Sequence, residues 1–180
     1  MTDDGVTTYA ELDLSVRRLA AALRGAGVRH GERVALLLPD TPLLAFAFWG
    51  TIAAGAVAVP LSTLLKPHDV RAILEDCSAR VVIHDPSVIP RSDLAGLDVE
   101  IWSADDAAAR LAAAAPIEAC VSTHRDAFAF FLYTSGTTGE PKGVVHLQHD
   151  MWICCETYGR SILKIEPFDR CFSVAKLFFA

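Results

Sequence analysis

Residues 133–146 read YTSGTTGEPKGVVH: hydroxyl side chains and glycines, then one proline and one lysine, set between two apolar runs. Gly136 and Gly139 carry no Cβ, so the backbone there can turn its N–H groups inward. Inward N–H groups in succession form a nest for an anion. Thr134, Ser135, Thr137 and Thr138 add hydroxyl donors, and Lys142 brings positive charge to the rim. Pro141 stiffens the exit. Together these groups suit phosphate oxygens. Two common phosphate loops are excluded by spacing. A Walker A loop has four residues between its first glycine and G-K-[ST]. Here two residues separate Gly136 from Gly139, and Gly143 stands where Ser or Thr is required. The G-x-G-x-x-G pattern is also missing. Composition by itself also admits an ordinary surface connection. Glu140 reads as a solvated loop charge, its sign being wrong for phosphate.

His146 and His149 are spaced i, i+3 and invite a metal reading, but no third ligand is near in sequence and a catalytic zinc site wants three. A structural or pocket-adjacent role is preferred, and no metal site is assigned. Cys154 and Cys155 are adjacent on an expected helix and read as core cysteines. Trp152 and Tyr158 read as packing residues.

The elements that must position the loop follow from periodicity. Thr8-x-x-Glu11 is a capping box opening a helix whose apolar face is Leu12, Val16, Leu19, Ala20 and Leu23. Residues 33–38, RVALLL, read as a buried strand. A helix over about 42–54 and a short strand at 56–59 come next. Pro67 opens a further helix, followed by a strand at 80–84, a polar loop at 85–98 and a short strand at 99–102. The Ala-rich stretch 104–115 is strongly helix-forming. Residues 128–133, FAFFLY, form a buried strand entering the loop, and 144–147 leaves it as a strand. A helix over about 149–163 and a strand at 170–175 complete the reading. Strands alternating with helices predict a layered, mostly parallel α/β sheet with flanking helices.

The chain has 180 residues, 52% of them hydrophobic, enough for one core-forming domain. A formal net charge of −6 argues against a nucleic-acid surface. The five cysteines are odd in number and lack C-x-x-C spacing. That points away from a disulfide framework and towards a reducing cytoplasm. The first residues show no signal-peptide pattern. Residues 41–65 carry no charge and are long enough to span a bilayer. Gly50, Gly55 and Pro60 interrupt them, so a buried helix followed by a buried strand is preferred to a membrane reading.

The string YTSGTTGEPKG closely resembles the signature of the adenylate-forming (AMP-binding) superfamily, roughly [ST]-S-G-[ST]-[ST]-G-x-P-K-G. That superfamily includes acyl- and aryl-CoA ligases, firefly luciferase and peptide-synthetase adenylation domains. TTYAELDLSVRRLAAALRGAGVRHGERVALLLPDTP and WGTIAAGAVAVPLSTLLKP resemble its N-terminal segments, so the likeness covers nearly all of the chain. GEPKGVVHLQHDM and DRCFSVAKLFFA are similar to aryl-CoA ligases, benzoate–CoA ligase among them.

The resemblance implies an ATP-dependent acid–thiol ligase. Such enzymes join a carboxylate to ATP, release pyrophosphate, and pass the acyl group from the acyl-adenylate to coenzyme A, with Mg2+ neutralising phosphate charge. It implies that Thr134, Ser135, Gly136, Thr137, Thr138, Gly139 and Lys142 grip phosphates by positioning and electrostatics, so Ser135 is not a hydrolase nucleophile. Phe179 and Ala180 match a segment leading into the acyl pocket, with core packing as the competing reading for Phe179. Residues 1–180 are thus expected to be part of the large N-terminal domain. The adenine, ribose and magnesium ligands and the C-terminal domain with the family's catalytic lysine are expected to lie outside the chain. The apolar end KLFFA reads as cut in mid-fold, and the chain alone is expected to be inactive. The expected partners are a small carboxylate, ATP and coenzyme A, with neither nucleic acid nor membrane. Three alternatives remain: a fatty-acyl ligase or carrier-loading adenylation domain, a non-catalytic phosphate-binding remnant, and a membrane-inserted protein.

Overall fold

The computed structural model describes residues 5–135 and 141–178. Helix α1 (Tyr9–Gly25) begins where the capping box requires. The Thr8 hydroxyl accepts from the Glu11 amide, and the Glu11 carboxylate accepts from the Thr8 amide. These bonds hold the Glu11 carboxyl below the usual carboxylate range. Strand β1 (Arg33–Leu37), α2 (Pro42–Ala53), β2 (Val57–Pro60), α3 (Pro67–Asp76) and β3 (Ala79–His84) follow. A 3₁₀ turn at Arg91–Leu94 interrupts the loop expected at 85–98, and leads to β4 (Glu100–Ser103) and α4 (Ala104–Ala113). Helix α4 has a second capping box, Ser103 with Asp106. The pair β5 (Phe128–Ser135) and β6 (Pro141–Leu147) is an antiparallel hairpin.

The six strands lie in the order β4-β3-β1-β2-β5-β6. The first five are parallel neighbours and β6 runs antiparallel at the edge. The expected layered, mostly parallel sheet is therefore present. Strand residues alternate between two cores. Val34, Leu36, Ala58, Val81, Ile83 and Trp102 face α1, α2 and α4. Ala35, Leu37, Val59 and Val82 face α3 and the turn that carries Leu94. Burial on both faces explains the near-continuous apolar runs of β1 and β3.

Helix α2 is apolar nearly all round, which suits an element enclosed on several sides. It is 12 residues long and is followed by strand β2, so the uncharged stretch 41–65 is a buried helix and a buried strand. No described helix is long and apolar enough to cross a membrane. Gly50 of α2 lies against α1: a Cβ there would stand 3.0 Å from Leu19 Cβ and 3.2 Å from the Val16 carbonyl oxygen.

Beyond Leu147 the expected helix is present in altered form, and the core readings and the strand fail. The helix expected over 149–163 is α5 (Asp150–Cys154) followed by a π-helical turn at Cys155–Arg160. Thr157 donates its hydroxyl to the Ile153 carbonyl at 2.7 Å, and Ser161 donates to Glu156 at 2.8 Å. Such back-bonding, with Gly159 between, loosens the regular ladder. Cys154 and Cys155 are exposed rather than core, and Trp152 and Tyr158 are 67% and 53% exposed rather than packed. The strand expected at 170–175 is irregular chain, with Phe172 and Val174 about nine-tenths exposed. An apolar, β-branched pattern needs a neighbouring edge before it becomes a strand, and no described strand pairs with these residues.

Gly50→Ala is expected to lower stability by about 1–3 kcal/mol, the usual result of overpacking, read as an earlier urea midpoint. Cys77 is buried, and burial pushes its thiol up to about 11. At pH 8 the exposed Cys120, Cys154, Cys155 and Cys171 should alkylate while Cys77 reacts only after unfolding. The raised thiol pKa means that Cys77's stabilising contribution is full below pH 9.0 and is lost as the pH climbs through about 11.

Candidate phosphate-binding hairpin

Strand β5 brings the loop to its place. Phe130 pairs with Ala58 of β2, which joins the hairpin to the parallel sheet. Its ring packs edge-on against Phe48 of α2 at 5.5 Å and lies flat on His146 of β6 at 4.4 Å. Ala129 and Leu132 are buried, and Phe131 and Tyr133 pack on the α3 side. An apolar strand with both neighbours supplied is a rigid stem for a loop of small residues.

Pairing continues to the mouth of the loop. Tyr133 is opposite Gly143, Thr134 opposite Lys142, and Ser135 opposite Pro141. Thr134 and Lys142 are exposed at the base. The structure thus brings Thr134 and Lys142 together as cross-strand partners, with Ser135 next in line. Gly136, Thr137, Thr138, Gly139 and Glu140, and the pocket residues Phe179 and Ala180, lie outside the described residues. Strand pairing reaches further towards the loop than the apolar runs suggest, because Thr134, Ser135, Pro141 and Lys142 join the ladder. A strand-edge proline at Pro141 is compatible with that position.

The two histidines serve the hairpin's far end. His146 Nδ1 lies 3.5 Å from Asp150, and His149 lies 3.2 Å from both Asp126 and Asp150. His149 Nδ1 also meets the Arg125 carbonyl at 2.9 Å. Asp150 accepts the Leu147 amide at 2.9 Å, tying the end of β6 to the first turn of α5. These contacts splice β6, α5 and the entry to β5. Among the described residues no group of three His, Cys, Asp or Glu could hold a metal.

Two features escaped sequence reasoning. Asp40, just past β1, accepts the Leu177 amide at 3.3 Å and lies 3.8 Å from Lys176, pinning a distant segment. The Tyr133 hydroxyl donates to Asp76 of α3 at 2.5 Å. Burial, and then this bond, keeps the phenol well above its ordinary pKa. Each contact joins residues far apart in sequence, and neither has a local signal.

The pattern characteristic of AMP-binding enzymes matches residues 1–180. The chain belongs to the AMP-binding enzyme family. It is 37% identical to the benzoate–CoA ligase of Thauera aromatica over 99% of its own length and 36% of that enzyme. It is 36% identical to a long-chain-fatty-acid–CoA ligase of Mycobacterium tuberculosis, covering 86% of this chain and 32% of that protein. The crystal structure of a benzoate CoA ligase from Burkholderia xenovorans LB400 superposes with a TM-score of 0.91 at 37% identity, over 98% of this chain and 36% of that one. The chain therefore spans about a third of the length of the relatives it matches. Its fold is that of part of an adenylate-forming enzyme's N-terminal domain.

Phe130→Ala would strip the ring that meets both Phe48 and His146. It is expected to cost about 3 kcal/mol, the low end for a large-to-small aromatic change because the ring is partly exposed, with the loss visible as a lower Tm.

Proposed function

We propose that the β5–β6 hairpin is the phosphate-gripping element of an ATP-dependent acid–CoA ligase acting on an aromatic carboxylate. The observation that carries this is the pairing of Thr134 with Lys142 at the mouth of the sequence SGTTGEP. That pairing sets a hydroxyl and an ammonium on either side of the glycine- and threonine-rich connection. In this reading the loop's N–H and hydroxyl groups and Lys142 bind the β- and γ-phosphates of ATP. Negative charge accumulates there as pyrophosphate departs. Preorganised donors stabilise that charge without moving at the moment of reaction. Mg2+ would enter bound to the nucleotide phosphates, since it commonly uses substrate oxygens rather than an all-protein cage.

The carboxylate attacks the α-phosphorus of ATP, giving an acyl-adenylate and pyrophosphate. The thiol of coenzyme A then displaces AMP. The aromatic assignment rests on similarity to benzoate–CoA ligases. Similarity at 36% to a long-chain-fatty-acid–CoA ligase favours a second reading with an aliphatic acid. Phe179 and Ala180 are proposed to approach the acid's pocket. Residues 1–180 supply phosphate contacts, while the nucleotide's base and ribose and the catalytic lysine are served by other segments of such enzymes. The chain alone is therefore proposed to bind without turnover, in the cytoplasm.

Magnesium pyrophosphate should bind the purified chain in calorimetry, and Lys142→Ala should weaken binding about tenfold, the worth of one charge-assisted contact. ATP–pyrophosphate exchange by the chain alone should stay at background. Absence of pyrophosphate binding would remove the phosphate reading, and measurable exchange would remove the claim of inactivity.

A further inference from the structure

We infer that Tyr133 and Asp76 form a positioning tether that fixes the mouth of the loop to helix α3. Its bearing on phosphate binding rests on the function proposed above. Tyr133 immediately precedes Thr134, and its register partner Gly143 immediately follows Lys142. A Cβ on Gly143 would lie 3.1 Å from Tyr133 Cζ and 3.3 Å from its oxygen. The tyrosine ring therefore crosses the neighbouring strand over a position where a Cβ would crowd it, as aromatics do over sheet glycines. From there the hydroxyl reaches Asp76 Oδ2, 57 positions away in sequence.

Asp76 is itself held. It is the last residue of α3, next to buried Cys77. The Cys77 carbonyl accepts Arg33 Nε at 2.5 Å, and the Ser78 carbonyl accepts Arg33 Nη2 at 2.9 Å. Arg33 opens β1, a central strand. A continuous path thus runs from β1 through Arg33, the Cys77–Ser78 turn and Asp76 to Tyr133 and across to Gly143. A phenol carries its proton at neutral pH, and burial and the bond to Asp76 shift its pKa further upward, so the hydroxyl stays a donor there.

The consequence concerns geometry at the loop base. Pairing with β2 through Ala58 and Phe130 holds the hairpin along one strand. The outer strand β6 has one strand neighbour, because it lies at the sheet's edge. The tether adds a hold from the α3 side beside Thr134 and Lys142. Phosphate donors held in place before binding lose less entropy on binding. Neither Tyr133 nor Asp76 is taken to touch phosphate.

The test uses the 180-residue chain and three single variants, with residue-resolved amide exchange and magnesium pyrophosphate titration. Tyr133→Phe keeps the ring over Gly143 and removes the hydroxyl. It should speed exchange at residues 132–135 and 142–145 about tenfold, as should Asp76→Ala, and both should raise the pyrophosphate Kd by a similar factor. The double variant should add nothing, because either change already breaks the one bond. Asp76→Asn retains a carbonyl acceptor and should recover most of both readouts. Unchanged exchange, or additive effects in the double variant, would overturn the tether. Faster exchange with an unaltered Kd would overturn its positioning role. Should the unaltered chain bind no pyrophosphate, the phosphate reading fails and the exchange measurements still decide the tether.

Discussion

The loop-bearing hairpin joins the parallel sheet at Phe130, which pairs with Ala58, meets Phe48 on one side and stacks on His146 on the other. The order of the loop's base starts from that joint. Glycine and small hydroxylated residues have large conformational entropy to lose on being ordered. They can present donors at fixed places only if their stem is fixed. Phe130 supplies this with apolar contact on three elements, and the β5–β6 ladder then carries the order to Thr134 and Lys142.

The acidic balance of the chain is compatible with an anion site because the two act at different ranges. Net charge sets a weak, salt-screened field over the surface. A nest of N–H groups and one ammonium acts at contact distance, where local donors dominate. Two of the hairpin's acidic partners sit at its far end, and Asp76 near the mouth is engaged by the Tyr133 hydroxyl. Asp126 and Asp150 are occupied with His146, His149 and the Leu147 amide. The carboxylates there splice β6 to α5 instead of competing for the loop.

What was legible in the sequence was what is local. The capping box at Thr8, the proline opening α3, the doubly buried strand RVALL and the turn from FAFFLY into the loop each announce themselves within a few residues. The loop string pointed to the family, and the N-terminal segments agreed with it. The strand expected at 170–175 failed because a strand is a property of a pair, and hydrophobic pattern reports only one member. The core reading of Cys154, Trp152 and Tyr158 failed for a related reason: helical residues are buried only where something covers them, and the described elements leave that side open. Tyr133 with Asp76, and Asp40 with Leu177, are closed by the fold across long separations. No spacing rule could have found them.

A single architecture serving both benzoate and long-chain acid ligases follows from the division of labour proposed for the hairpin. The triphosphate is the same whatever acid is activated. A device that grips it needs a fixed stem, small residues and one cation, and it gains nothing from knowing the acid. Discrimination among acids requires contacts with the acyl group itself, where adding or removing one buried methylene is worth only about 1–3 kcal/mol. Such contacts can change without disturbing Phe130, the β5–β6 ladder or the proposed phosphate donors. Identity to a benzoate ligase and to a fatty-acid ligase is accordingly nearly equal, 37% and 36%. Those similarities cover 99% and 86% of this chain, the stretch to which the proposed phosphate grip belongs.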